Sequence, residues 1–212
     1  MKQRGISLIV VLIALVIIGF AAVAMLRSSD TGTLVAGNLA FKKTALAATD
    51  AGGEVAMNWL LANATGNTLW DDVTASGYYA TTADGCDLTG TRTPADATDD
   101  VNWTGTDPGS NCNMDGFAPT APAGVPAGYT VRFVINRVCN SSGDPNAVFA
   151  SDGVTPMVCS TAGAGASEGS TRGGASYGNT PLTGESQTYF RITTRVDGPR
   201  NTTRYVQVIV TM

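Results

Sequence analysis

Residues 4–20 read "RGISLIVVLIALVIIGF": a basic residue and a glycine, then an apolar run that continues to Leu26. From Ile6 to Leu26 no residue is charged, and Ser7 is the one hydroxylated side chain. At 1.5 Å per residue such a helix spans about 31 Å, the thickness of a bilayer's hydrocarbon core. Lys2 and Arg4 flank its amino end, which holds that end in the cytoplasm and delivers residues from 27 onward to the far side. An ordinary cleaved signal has an apolar core of only about 7–15 residues before a small-x-small site. Ala22-Val23-Ala24 imitates such a site, but the length of the run weighs against removal there.

The sequence after Leu26 continues a helix rather than ending one. Val35, Leu39, Leu46, Gly53, Met57 and Leu60 recur at helical spacings, alanine is abundant between Ala36 and Ala62, and no proline occurs before Pro94. Gly32, Gly37 and Gly52-Gly53 are weak points, each costing about 1 kcal/mol of helix propensity relative to alanine. The spacing predicts one helix from Ile6 to about Asn63, roughly 87 Å long, apolar all round in its first half and one-sided in its second.

The remainder is rich in Gly, Thr, Ala, Ser, Asn and Asp, a loop-heavy, β-leaning composition that suits export. The chain of 212 residues carries 13 basic and 17 acidic side chains and no histidine. Without residues 1–5 the acidic excess grows, and a surface of that sign repels a phosphate backbone, which argues against nucleic-acid binding. The lack of histidine removes Ser-His-Asp and Cys-His catalysis and any Cys/His zinc site. Asp71-Asp72 and Asp99-Asp100, neighbours in turn-rich sequence, read as solvated surface rather than an acid/base pair. Asn111, Asn113, Asp115 and Gly116 imitate the start of a calcium loop, but Pro122 stands where the closing glutamate belongs. No cofactor is expected.

Cys86, Cys112, Cys139 and Cys159 are widely spaced, form no CxxC pair and all lie beyond the apolar run. Disulfides in an oxidising compartment are the better reading. Sequence order favours Cys86–Cys112 and Cys139–Cys159, with three connectivities open. Strands are expected at 129–138, 188–196 and 203–211, the last two joined by a hairpin at Asp197-Gly198. Residues 160–187 read as a Gly/Ser-rich loop. The expected fold is therefore α+β: a helical spine (6–26 apolar, 27–64 amphipathic) and an antiparallel sheet in an exported head (65–212). Leu46, Trp59 and Leu60 are the expected packing partners of that sheet.

The leader "KQRG" followed by the apolar helix resembles the N-terminus of a type IV prepilin. The longer stretch resembles the PilX-type minor pilins, through Ala36-Gly37-Asn38-Leu39 and Ala47-Ala48-Thr49-Asp50-Ala51-Gly52. The likeness covers about the first 60 residues. It implies that residues 1–5 are a leader, that a prepilin peptidase cuts between Gly5 and Ile6, and that the new terminus is methylated. It implies an inner-membrane protein with a periplasmic head that later joins an extracellular pilus. Its partners would be other minor and major pilins and a PilY-type tip adhesin, and its work assembly rather than catalysis. Most pilins carry a glutamate five residues past the cut, where this chain has Val10. That glutamate is thought to face the terminal ammonium of the subunit above, and an unpaired buried ammonium costs several kcal/mol. A subunit with Val10 gains nothing from docking below another, while its own Ile6 ammonium can still receive a later subunit. That places it at or near the tip. The competing readings are an anchor that never polymerises, a minor pseudopilin of a type II secretion system, and a membrane-held binding module or hydrolase.

Overall fold

The computed structural model describes residues 6–93, 96–105, 112–120, 122–162 and 187–212. Helix α1 runs from Ile6 to Asn63, unbroken through Gly19, Gly32, Gly37, Gly52 and Gly53. It ends where the Asn63 side-chain amide turns back to donate to the Trp59 carbonyl, 2.8 Å away, and Gly66 then takes a left-handed φ of 91°. The chain divides into two units, residues 1–44 and 45–212.

The second unit contains the end of α1 and a five-stranded sheet: β1 (Tyr78–Tyr79), β2 (Thr130–Arg137), β3 (Thr161–Ala162), β4 (Gln187–Gly198) and β5 (Thr202–Thr211). The long strands are antiparallel: β2 pairs β4 from Thr130↔Asp197 to Arg137↔Phe190, and β5 pairs β4 from Tyr189↔Thr211 to Gly198↔Thr202. Tyr189 donates to Ser160 and accepts from Val138, so β3 continues on the β2 side of β4. The three predicted strands are thus antiparallel as expected, and the two-residue β1, which the sequence does not predict, runs parallel to β2 and makes the sheet mixed. A stretch that short carries no alternation to read.

Alternation along β2 places Val131, Phe133, Ile135 and Arg137 on one face, and α1 lies on that face. The residues that α1 buries are Ala45, Ala48, Thr49, Gly52, Ala56 and Leu60. This corrects the predicted stripe. Leu46 is 52 % exposed and does not pack on the sheet, and Val35 and Leu39 are exposed too, whereas Leu60 is fully buried. Trp59 stays half-buried and stacks on Tyr78 at 5.4 Å between ring centroids. Gly52 explains the choice of face: a Cβ there would sit 2.4 Å from Val131 Cγ1 and 2.7 Å from Thr194 Cγ2. From Ala45 to Ala56 helix and sheet approach so closely that small residues fill the contact, and the space widens to admit Leu60.

The opposite face of the sheet is covered by the segment between Tyr79 and Phe117. Leu88, Val101, Trp103, Cys112 and Met114 pack there around Tyr79 and Val134. The β4–β5 hairpin turns through Pro199–Asn201 rather than Asp197-Gly198, and Arg200 and Asn201 take the left-handed φ values. Asp197 and Gly198 remain in β4. Gly198 is required for another reason: a Cβ would lie 2.4 Å from Tyr129 Cε1. Most of the Gly/Ser-rich stretch predicted as a loop lies outside the described residues.

Candidate functional site

Two parts of the molecule carry the sequence-derived expectations. The first is the start of α1. Every described side chain from Leu8 to Leu26 is exposed, among them Leu8 (70 %), Phe20 (73 %) and Met25 (76 %). Apolar side chains facing outward on all sides of a helix call for lipid or other helices around them, because water would be expelled from such a surface. This helix is long and apolar enough to cross a membrane. Polarity returns with Arg27 and Asp30. Thr31 and Thr33 there satisfy their hydroxyls on carbonyls of their own helix, the Thr31 hydroxyl reaching Arg27 and Ser28 and the Thr33 hydroxyl reaching Asp30. Val10 lies on the exposed apolar surface, 58 % accessible. Gly5 falls outside the described residues. Ile6 opens α1.

The second part is the head. Cys86 pairs with Cys112 and Cys139 with Cys159, which leaves no free thiol among the described residues. The first bond ties down the segment that covers the sheet's outer face. The second closes a loop at the end of β2.

Between these bonds sits a residue that sequence reasoning passed over. Arg137 is 1 % exposed, and its guanidinium donates to five backbone carbonyls. Nε reaches Ala80 (3.1 Å), Nη1 reaches Leu69 (3.0 Å) and Gly143 (2.8 Å), and Nη2 reaches Trp70 (3.4 Å) and Ser141 (3.2 Å). One cation thus fastens three loops. Burial pulls its pKa below the usual arginine value, and the nearby Tyr78, Asp71 and Asp144 oppose that. Tyr78, beside it, donates its hydroxyl to Leu69, and burial pushes its own pKa well up. The missed signal was periodicity: Arg137 is the next step of the alternation that runs Val131, Phe133, Ile135.

Asp87 plays a similar part in the covering segment. It is 3 % exposed, and its carboxylate accepts backbone N–H bonds from Thr89, Arg92 and Thr93 and the Thr89 hydroxyl. Burial pushes its pKa up, but the three backbone donors and the Thr89 hydroxyl together outweigh that and hold the carboxyl below its ordinary value. Asp71 and Asp72 are exposed as read, whereas Asp99 and Asp100 are half-buried, so those two are not solvated surface. The Asp99 carboxylate accepts from the Thr93 hydroxyl and pairs with Arg92 at 3.5 Å. Of the calcium-like stretch, Asn111 lies outside the described residues, and Asp115 accepts from Asn102 at 2.6 Å. Among the described residues no three acidic or cysteine side chains gather where a metal could be held.

No family model, curated protein or solved structure matches the chain.

Proposed function

We propose that this chain is a PilX-like minor pilin, held in the inner membrane by α1 and later incorporated at or near the tip of a type IV pilus. One observation carries the reading. A single unbroken helix is apolar and exposed on every side at Leu8–Leu26, and is pressed by a face of small residues against a sheet at Ala45–Leu60. A simple anchor needs only the first half, and a core helix needs only the second. A helix with both is suited to wait in lipid and then pack among other helices, while its far end stays part of a folded head.

On this reading the head works by binding rather than catalysis. Its partners are other minor and major pilins and a PilY-type tip adhesin. A prepilin peptidase removes residues 1–5, cutting between Gly5 and Ile6. The two disulfides fit a head that matures in an oxidising periplasm. Val10 supplies no carboxylate for the terminal ammonium of a subunit above, which is the ground for placing the chain at the leading end.

The test is N-terminal mass spectrometry of filaments sheared from the cell surface. The expected species begins at a methylated Ile6. A mature protein that begins near Met25, with the apolar helix removed, would overturn the reading.

A further inference from the structure

The head has an apolar loop and an open, uncharged cavity at opposite ends of one strand. Beyond the carboxyl end of β2, the loop closed by Cys139–Cys159 presents Val148 (74 % exposed), Phe149 (49 %), Val154 (77 %) and Val158 (62 %). This loop is built to hold its shape. Met157 donates to Val148 and Ala150 to Thr155 across it, while Asp152 accepts from the backbone of Val154 and Thr155 and from the Thr155 hydroxyl. Asn140 clasps the return strand, donating to Pro156 and accepting from Val158. Arg137 fixes its base through Ser141 and Gly143. Apolar side chains on so ordered a tip have already lost the freedom that binding would otherwise cost.

At the amino end of β2, eight residues and about 25 Å away, lies an open cavity of about 440 Å³. Pro119, Pro122, Val125, Pro126, Tyr129 and Val131 line it, and among the described residues no charged one does. The two ends also differ in sign. Among the described residues Asp71, Asp72, Asp84, Asp144 and Asp152 lie at the loop end, and the cations there, Arg137 and Arg191, are buried and half-buried. Near the cavity Pro199 approaches Gly128 and Tyr129 packs against Gly198. This brings the β4–β5 turn alongside with Arg200 and Arg204, while Arg132 and Arg195, on the sheet's other face at the same end, pair with the Asp197 carboxylate.

We infer that the head stacks head to tail on a second copy of itself, the apolar loop tip of one copy seated in the proline-lined cavity of the next. A protrusion and a cavity at opposite ends make a heterologous contact, which does not close on itself and can extend into a row. The opposite charges of the two ends orient the approach. This inference rests on the head alone and stands apart from the pilin reading.

Cysteine crosslinking of the full chain in detergent tests it. Val154→Cys marks the loop and Val125→Cys marks the cavity. A bis-maleimide should join the two single variants when they are mixed, with about tenfold more dimer than either gives alone, and no larger species. The double variant should give a ladder. Val154→Cys crosslinking to itself as readily as to Val125→Cys would mean a symmetric contact and overturn the inference. So would the absence of crosslinks in every combination. Should Val125→Cys melt early, Ala127→Cys on the exposed rim replaces it.

Discussion

The adjacent glycines of α1 should respond to the same substitution with opposite signs. At Gly53 an added Cβ meets nothing within 4 Å, so Gly53→Ala gains the helix-propensity difference of about 1 kcal/mol. At Gly52 the same gain is set against contacts of 2.4 Å to Val131 Cγ1 and 2.7 Å to Thr194 Cγ2. Both atoms belong to β-branched side chains, stiff at χ1, on buried strands that are hydrogen-bonded to each other, so neither can swing away cheaply. Overpacking of this kind costs about 1–3 kcal/mol and should exceed the propensity gain. The propensity gain is common to both, so the two variants should differ by the overpacking cost, about 1–3 kcal/mol, which for a head of this size is roughly 2–12 °C in melting temperature. Trp59, Trp70 and Trp103 all lie in the unit of residues 45–212, so denaturation of the full chain in detergent can be followed by tryptophan fluorescence. A Gly52→Ala variant as stable as Gly53→Ala would refute the argument that small residues set the helix–sheet distance.

Arg137→Met keeps length and apolar stem but takes the guanidinium from five carbonyls, of which Leu69 keeps the Tyr78 hydroxyl and Trp70 keeps the Gly143 N–H. It should cost about 3–5 kcal/mol, and Arg137→Lys, with three donors and no planar fork, should recover only a part, both read by chemical denaturation. Asp87 has a depressed folded pKa, so its contribution is present above the unfolded value of about 3.9 and is lost as pH falls through the folded one. Asp87→Asn should therefore lower stability by about 1–3 kcal/mol at neutral pH, and a pH series should show the gap to wild type closing below about pH 4. Val10→Glu restores a carboxylate to the apolar helix, and under the proposed function the labelled protein should move from the pilus tip into the shaft. An unchanged location would undo the role given to Val10.

The helix was legible from its uninterrupted apolar run and its lack of proline, and the long strands from runs of β-branched and aromatic residues that alternate most clearly in β2. The buried face of α1 was not. Counting large apolar residues selects Val35, Leu39 and Leu46, yet the sheet contacts Ala45, Ala48, Gly52 and Ala56. A periodicity count rewards transfer energy, whereas a close helix–sheet contact is limited by volume, and the small residues that permit it barely register. The turn was displaced for a related reason. Asp-Gly signals a positive φ, but Gly198 is extended and is there because Tyr129 leaves no room for a Cβ. Arg137 was hidden by the general rule that charge stays outside. Its five carbonyl partners come from three separate loops, and only the folded chain brings those together. The cysteine pairing follows sequence order because each pair closes a local excursion, one over the sheet's outer face and one beyond the end of β2.

Among the described residues, every core side chain lies between Ala45 and Val196, and both disulfides and the Arg137 junction fall within that span. The exposed apolar residues of Leu8–Leu26 contribute nothing to it. The stability of the head is therefore independent of what surrounds the start of α1, whether lipid or protein. A subunit that must leave a bilayer and enter a filament needs this separation, since a head that drew stability from its anchor would loosen at extraction. On the proposed reading, the face of small residues on α1 is what makes the separation work. It joins the helix to the sheet through backbone-close contact at Ala45–Leu60, so a pull along the helix is borne by the folded head as a whole.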